Sequence, residues 1–201
     1  ALLGDSIFDN HVYTGGEPDV VHHLRGLLPA PWQATLCAID GSTTGDLAGQ
    51  LARVPPDCSH IVISLGGNDA LLNLDLLETP VASTSEALLL FGERIGRFEQ
   101  AYRAAIDGAL TARRDTTICT IYNADLDPGR APLARVLLMM FHDVILRVAF
   151  ERGLRVIDLR LVCTEAADYA HEIEPSGRGG RKIATAIARC SWHASSLPAA
   201  S

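Results

Sequence analysis

The stretch Leu2-Leu3-Gly4-Asp5-Ser6 carries the residue of this chain best suited to covalent chemistry. Apolar residues run directly into a glycine, an acid and a serine, so a short buried strand would end by presenting a hydroxyl at its C-terminal tip. A second apolar run, Ile61-Val62-Ile63-Ser64-Leu65, ends in Gly66-Gly67-Asn68-Asp69. In a parallel α/β sheet the strand C-termini share one edge, and ligands bind at that edge. A serine nucleophile and a side-chain amide donor would meet there. Acyl transfer needs this pairing: one group attacks the carbonyl and another stabilises the charge that develops on its oxygen. Taken alone, Gly-Asp-Ser is a weak signal, because Asp5 or Ser6 could equally cap a helix. Asn68 or Asp69 could likewise cap a short helix over 70–77, and Asp69 is expected to do so.

The elements that must position these residues alternate between strand and helix. Short apolar runs at 1–3, 34–39, 61–65, 117–122 and 156–159 read as buried parallel strands. Between them, Pro18 opens a helix whose stripe is Val20, Val21, Leu24, Leu27 and Leu28. A shorter helix spans 46–53. Ser83-x-x-Glu86 is a capping box for a long helix with Leu88, Phe91, Ile95, Phe98, Tyr102 and Ile106 on its core face. Another runs from about Pro132 to Arg152 through Leu133, Leu137, Met140, Val144 and Val148, with Gly153 ending it. A last helix falls near 181–190. The alternation predicts an α/β fold, a three-layer α/β/α sandwich around a five-stranded parallel sheet, in one domain spanning 1–201 with a frayed tail over 195–201.

Gly4-Asp5-Ser6 and Gly66-x-Asn68-Asp69 together resemble the first and third sequence blocks of the SGNH (GDSL-type) hydrolases. Asp40-Gly41-Ser42-Thr43-Thr44-Gly45-Asp46 resembles the second block, with Gly45 preferred over Gly41 as its key glycine. The resemblance implies a flavodoxin-like sheet and a serine hydrolase acting on carboxylic esters. It implies Ser6 as nucleophile, and an oxyanion hole formed by the Ser6 and Gly45 N–H groups with the Asn68 side chain. It implies no metal or organic cofactor.

The last block of that family reads Asp-x-x-His followed by Pro. Here Pro175, Gly179 and the following helix align without gaps, and this register sets His171 at the Asp position and Glu174 at the His position. Three readings stay open. Glu174 is itself the general base, which requires a carboxylate within reach of Ser6 and a raised pKa; or His171 is the base with Glu174 orienting it; or the chain only binds an acylated ligand. His11, five residues after Ser6, is a further candidate on proximity. His22, His23, His60 and His142 fall on helices or at the far end of a strand. Asp9, Asn10 and Tyr13, with the loops 15–19 and 123–130, are expected to line an open pocket rather than a long acyl tunnel. The expected substrate is a small-molecule short-chain or acetyl ester, and an acyltransferase using the same serine is the related alternative.

Composition narrows the setting. The net charge is −7 and Lys182 is the only lysine, so no basic face is available for nucleic acid. No apolar run approaches the ~20 residues of a membrane span, and the chain opens in a strand rather than in a signal peptide. Five cysteines without metal-type or framework spacing predict reduced, mostly buried thiols and a cytoplasmic protein.

Overall fold

The structure, a computed structural model, describes the backbone of residues 1–195 and the side chains of residues 1–190. The expected frayed tail lies, from residue 196 onward, outside the described residues. Four parallel strands form the sheet in the order β1 (Leu2–Gly4), β2 (His60–Ser64), β3 (Asp115–Cys119) and β4 (Arg155–Ile157). The run 34–39 was expected as a fifth strand, and here the expectation needs correcting. It lies along the free edge of β1 but forms only a single bridge, Leu2 to Leu36. The cause is local: the N–H groups of Cys37 and Ala38 both donate to the Leu2 carbonyl, which breaks the regular ladder as a bulge does.

The strands are apolar on both faces, and successive residues point into different cores. Leu3, Ile61, Ile63 and Ile118 pack against α2 (Leu47–Leu51), α4 (Thr84–Leu110) and α5 (Ala131–Glu151), where Tyr102, Ile106, Phe141, Val144 and Val148 are buried. Leu2, Val62, Cys119 and Ile157 pack on the opposite side against α1 (Val20–Leu27) and α7, which begins at Gly177, through Val20, Leu24, Ile183 and Ile187. Each fully buried side chain of this kind stabilises the fold by about 1.5–3 kcal/mol.

Helix signals in the sequence mostly hold. Ser83 caps α4, its hydroxyl accepting from the Glu86 N–H at 3.1 Å. Three stripe residues lie outside the core: Leu27, Leu88 and Leu133 are 39%, 64% and 54% exposed, Leu27 at the C-terminal end of its helix and the other two near the N-terminal ends of theirs. The short helix expected at 70–77 divides into α3 (Gly67–Leu71) and a 3-10 turn over Leu74–Glu78. A four-residue helix, α6 (Leu159–Val162), follows β4, and α7 starts earlier than expected. No helix among the described residues is long and apolar enough to cross a membrane. All five cysteines are free.

Gly4 sets the geometry of the sheet edge. Its φ is +138°, and a Cβ there would stand 1.9 Å from the Ser64 carbonyl oxygen. Only glycine allows β1 to turn while in contact with the β2 backbone. Gly4→Ala should therefore cost at least about 3 kcal/mol of stability, as a strained backbone and a main-chain clash together demand. Urea denaturation would measure this, and a loss below about 1 kcal/mol would show that the strands can part without consequence.

Candidate active site

Past Gly4 the chain enters a tight turn, in which the N–H groups of Phe8 and Asp9 return to the Asp5 carbonyl and the Ile7 N–H donates to the Asp5 carboxyl at 3.1 Å. This turn holds Ser6 half-buried at the sheet edge. Gly66, at φ +113°, turns the chain after β2 into α3 and brings Asn68 to the same edge. Ser6 and Asn68 line one cavity of about 240 Å³.

Glu174 reaches this edge from the opposite end of the chain. It is buried, and the Ser6 hydroxyl lies close enough to its carboxylate to lower the carboxyl's pKa. Asn10 helps to hold it there: the buried Asn10 amide donates to the Pro175 carbonyl at 3.0 Å, and its oxygen accepts from the Val20 N–H at 3.1 Å. The Ala170 N–H donates to the Glu174 carbonyl and the Tyr122 hydroxyl to the Ile173 carbonyl. Burial raises the Glu174 pKa from the ordinary carboxylate value, while the neighbouring Ser6 hydroxyl opposes the rise.

The other expected residues are arranged differently. His171 is exposed, its ring edge-on to Tyr13 at 6.1 Å between centroids. The spacing Asp168-Tyr169-Ala170-His171, which the ungapped register passes over, forms no dyad. Asp168 is completely buried and engages Lys182 at 2.7 Å and the N–H groups of Thr164 and Glu165. Gly45 is exposed in a 3-10 turn over Thr44–Asp46, whose capping box is Thr43 with Asp46. Gly41 (φ +77°) directly precedes Ser42, and the Ser42 carbonyl accepts from the Asn68 side-chain amide at 2.9 Å. Asp69 does not cap the helix after it, because its carboxylate is taken by the Thr44 hydroxyl at 2.8 Å and the Thr44 N–H at 3.1 Å. His11 lies 3.6 Å from the Asp19 carboxylate, exposed. Asp9, Asn10 and Tyr13 do not line the cavity, and nor does the loop 15–19. Instead, Tyr13 donates to Asp40 at 2.6 Å and Asp9 accepts from the Asp40 N–H at 3.0 Å.

The expectation of an open polar site also needs correcting. Leu71, Leu74 and Leu77 form one wall, and Leu133, Leu137 and Leu138 of α5 form another. The loop 123–130 does contribute, through Asn123, Ala124, Leu126 and Arg130, and the Arg130–Glu172 ion pair spans from it to the segment before Glu174. Leu71, Leu74 and Leu77 come from short helical turns, where no period stands out, and Leu133 and Leu137 read in the sequence as part of a core stripe.

A profile of the GDSL-like Lipase/Acylhydrolase family matches residues 2–182, and the chain belongs to that family. Its fold is similar to that of a lipolytic G-D-S-L family protein from Veillonella parvula, at 18% identity and TM-score 0.67, covering 94% of each chain. It is also similar to a mutant acetyl-xylooligosaccharide esterase from Geobacillus, at 19% identity and TM-score 0.67, covering 94% of this chain and 91% of that one. An acetyl xylan esterase has 16% identity and TM-score 0.66, with 96% and 97% covered. No curated protein matches the chain at a significant level.

Asp5 is the site's other buried acid. Desolvation raises its pKa to about 7, against the lowering effect of the Ile7 hydrogen bond. A carboxyl with a folded pKa above its unfolded value of 3.8 holds its proton in the native state across the interval between them. The unfolded chain binds fewer protons there, so this group's contribution falls as pH rises from about 4 to about 7. Asp5→Asn keeps the acceptor for Ile7 and removes the ionisation. The stability gain of Asp5→Asn over wild type should grow across that interval, reaching roughly 1–3 kcal/mol at pH 8. Paired melts at pH 5 and pH 8 would measure it; a pH-independent difference would show that Asp5 keeps an ordinary pKa.

Proposed function

We propose that this protein hydrolyses carboxylic esters through an acyl-enzyme on Ser6, with Glu174 as the general base and an apolar acyl group as the preferred substrate part. The buried Glu174 carboxylate beside the Ser6 hydroxyl at the sheet edge is the observation that carries this reading. As Ser6 Oγ attacks the ester carbonyl carbon, its proton passes to Glu174. The negative oxygen that forms takes hydrogen bonds from the Ser6 N–H, from the Asn68 amide hydrogen not committed to Ser42, and from a glycine N–H of the 40–46 segment. For that third donor we favour Gly41 over Gly45, because Gly41 adjoins the residue that holds Asn68. Collapse of the tetrahedral centre expels the alkoxide, which takes the proton back from Glu174. Water then enters and attacks the acyl carbon while giving a proton to Glu174; collapse breaks the bond to Ser6 Oγ, which takes that proton back as the acid leaves.

A carboxylate is ordinarily a weak base for a hydroxyl. Burial narrows that gap by raising the Glu174 pKa. The expected pH profile therefore rises with loss of one carboxyl proton, at a pH above 4.5. Glu174→Gln should lose at least about 100-fold in kcat, whereas His171→Ala stays within about threefold of wild type. The reverse ranking would transfer the base role to His171. Failure of Ser6→Ala to abolish turnover would reject the nucleophile, and failure of a fluorophosphonate probe to label Ser6 would favour a binding module.

The leucine-lined cavity supports an acyl group longer than acetyl. Each buried methylene adds about 0.8 kcal/mol, close to fourfold in affinity. A p-nitrophenyl hexanoate should therefore exceed the acetate in kcat/KM by at least about tenfold. Leu137→Trp fills the cavity and should reverse that order; unchanged selectivity would place the acyl chain elsewhere.

A further inference from the structure

Beyond the residues that touch substrate, one buried amide connects the nucleophile strand to the proposed oxyanion donor. Gln50 lies on α2, three residues after the fully buried Leu47, on the helix face turned to the core. A polar side chain at such a position is costly unless all its hydrogen-bonding capacity is used. Gln50 is 1% exposed, and its oxygen and both amide hydrogens are engaged. Its oxygen accepts from the Gly4 N–H at 2.7 Å. Its Nε2 donates to the Gly4 carbonyl at 2.7 Å and to the Ser42 hydroxyl at 3.0 Å. The Ser42 carbonyl in turn accepts from Asn68 Nδ2 at 2.9 Å.

These bonds form a continuous path: Gly4, Gln50, Ser42, Asn68. At one end is the glycine two residues before Ser6, and at the other the amide proposed to meet the oxyanion. The outer edge of β1 has only the single bridge at Leu36 as strand pairing, so the Gly4 N–H turns to Gln50 and the Gly4 carbonyl is shared between Gln50 and the Ile39 N–H at 3.1 Å. The path also uses one of the two Asn68 amide hydrogens, which fixes the direction of the other.

We infer that Gln50 is a positioning residue, holding Asn68 and the Ser6 strand at the separation that oxyanion stabilisation requires. The inference rests on the reading of Asn68 as a transition-state donor. The effect expected of such a residue is on kcat, because misalignment weakens a bond made only in the transition state.

A double-mutant cycle on p-nitrophenyl hexanoate tests it. Asn68→Ala should lower kcat by about 10²–10³. Gln50→Met should lower kcat at least about tenfold with KM within about twofold, normalised to the folded fraction by circular dichroism. The double variant should fall no more than about threefold below Asn68→Ala, because Gln50 acts through a group already lost. Fully multiplying effects would reduce Gln50 to general support of the fold and overturn the inference while leaving Asn68 in place. An Asn68→Ala variant with normal kcat would instead reject the oxyanion reading, and the inference with it.

Gln50→Glu supplies a second arm that survives poor folding of the methionine variant. The three partners of this side chain are uncharged groups, the Gly4 N–H, the Gly4 carbonyl and the Ser42 hydroxyl. A protonated carboxyl can satisfy the Gly4 pair, whereas a carboxylate repels the Gly4 carbonyl. The ratio of variant to wild-type kcat should therefore rise as pH falls through the elevated pKa of the introduced acid. A ratio that does not change with pH would overturn the inference.

Discussion

The site depends on one close approach of backbone to backbone. With no Cβ at Gly4, the tip of β1 lies against the Ser64 carbonyl of β2, and the two chains separate only beyond that contact. Ser6 and Asn68 leave the sheet at adjacent points for this reason, one through the turn at 5–9 and the other through the left-handed Gly66. A comparable contact brings in the third participant. A Cβ on Gly179 would meet the Asp168 carbonyl at 2.0 Å, so the start of α7 packs tightly on the segment that precedes Glu174. Carbonyl and amide groups of the main chain, more than side-chain packing, thus define the distances at this edge.

A gathering of acids is the electrostatic result. Asp5, Asp69 and Glu174 are all raised by desolvation, and Asp5 is raised further by the charges of the other two. Neighbouring donors oppose the rise in each: the Ile7 N–H for Asp5, Thr44 for Asp69 and the Ser6 hydroxyl for Glu174. Such a cluster lowers stability at neutral pH, and strongly perturbed acids of this kind are enriched at functional sites. The proton held on Asp5 relieves part of the repulsion next to the serine.

Much of this was legible in the residues themselves. The apolar runs located all four strands, and Gly-Asp-Ser with Gly-x-Asn-Asp marked which strand tips carry the site, because buried parallel strands and their glycine exits have few alternatives. The irregular fifth run was not legible: whether 34–39 pairs fully depends on a bulge at Cys37 and Ala38 that composition does not encode. Position 174 could be read only as a departure from a pattern, since nothing local tells a burying glutamate from a solvated one. Gln50 was hidden more deeply. A glutamine on a short helix looks like a surface residue until the β1 edge is seen to lack a regular neighbour.

The helix that forms one wall of the cavity, α5, is joined unevenly to α4, which itself lines no part of the cavity. Toward their C-terminal ends, ionic contacts join them in series: Arg147 to Glu99, Arg103 to Glu151, and Arg152 to Asp107 at 2.9 Å. Isolated surface pairs contribute little, but a shared network resists shear between the helices it joins. At the opposite ends Leu133, with Leu71, Leu74 and Leu77 facing it, is both partly exposed and part of the cavity wall. Contacts between such side chains have no preferred direction and permit sliding. The α5 wall is therefore anchored at its C-terminal end and compliant at the end that lines the cavity, so that the width of the opening adjusts to what enters while the strand tips behind it stay in register.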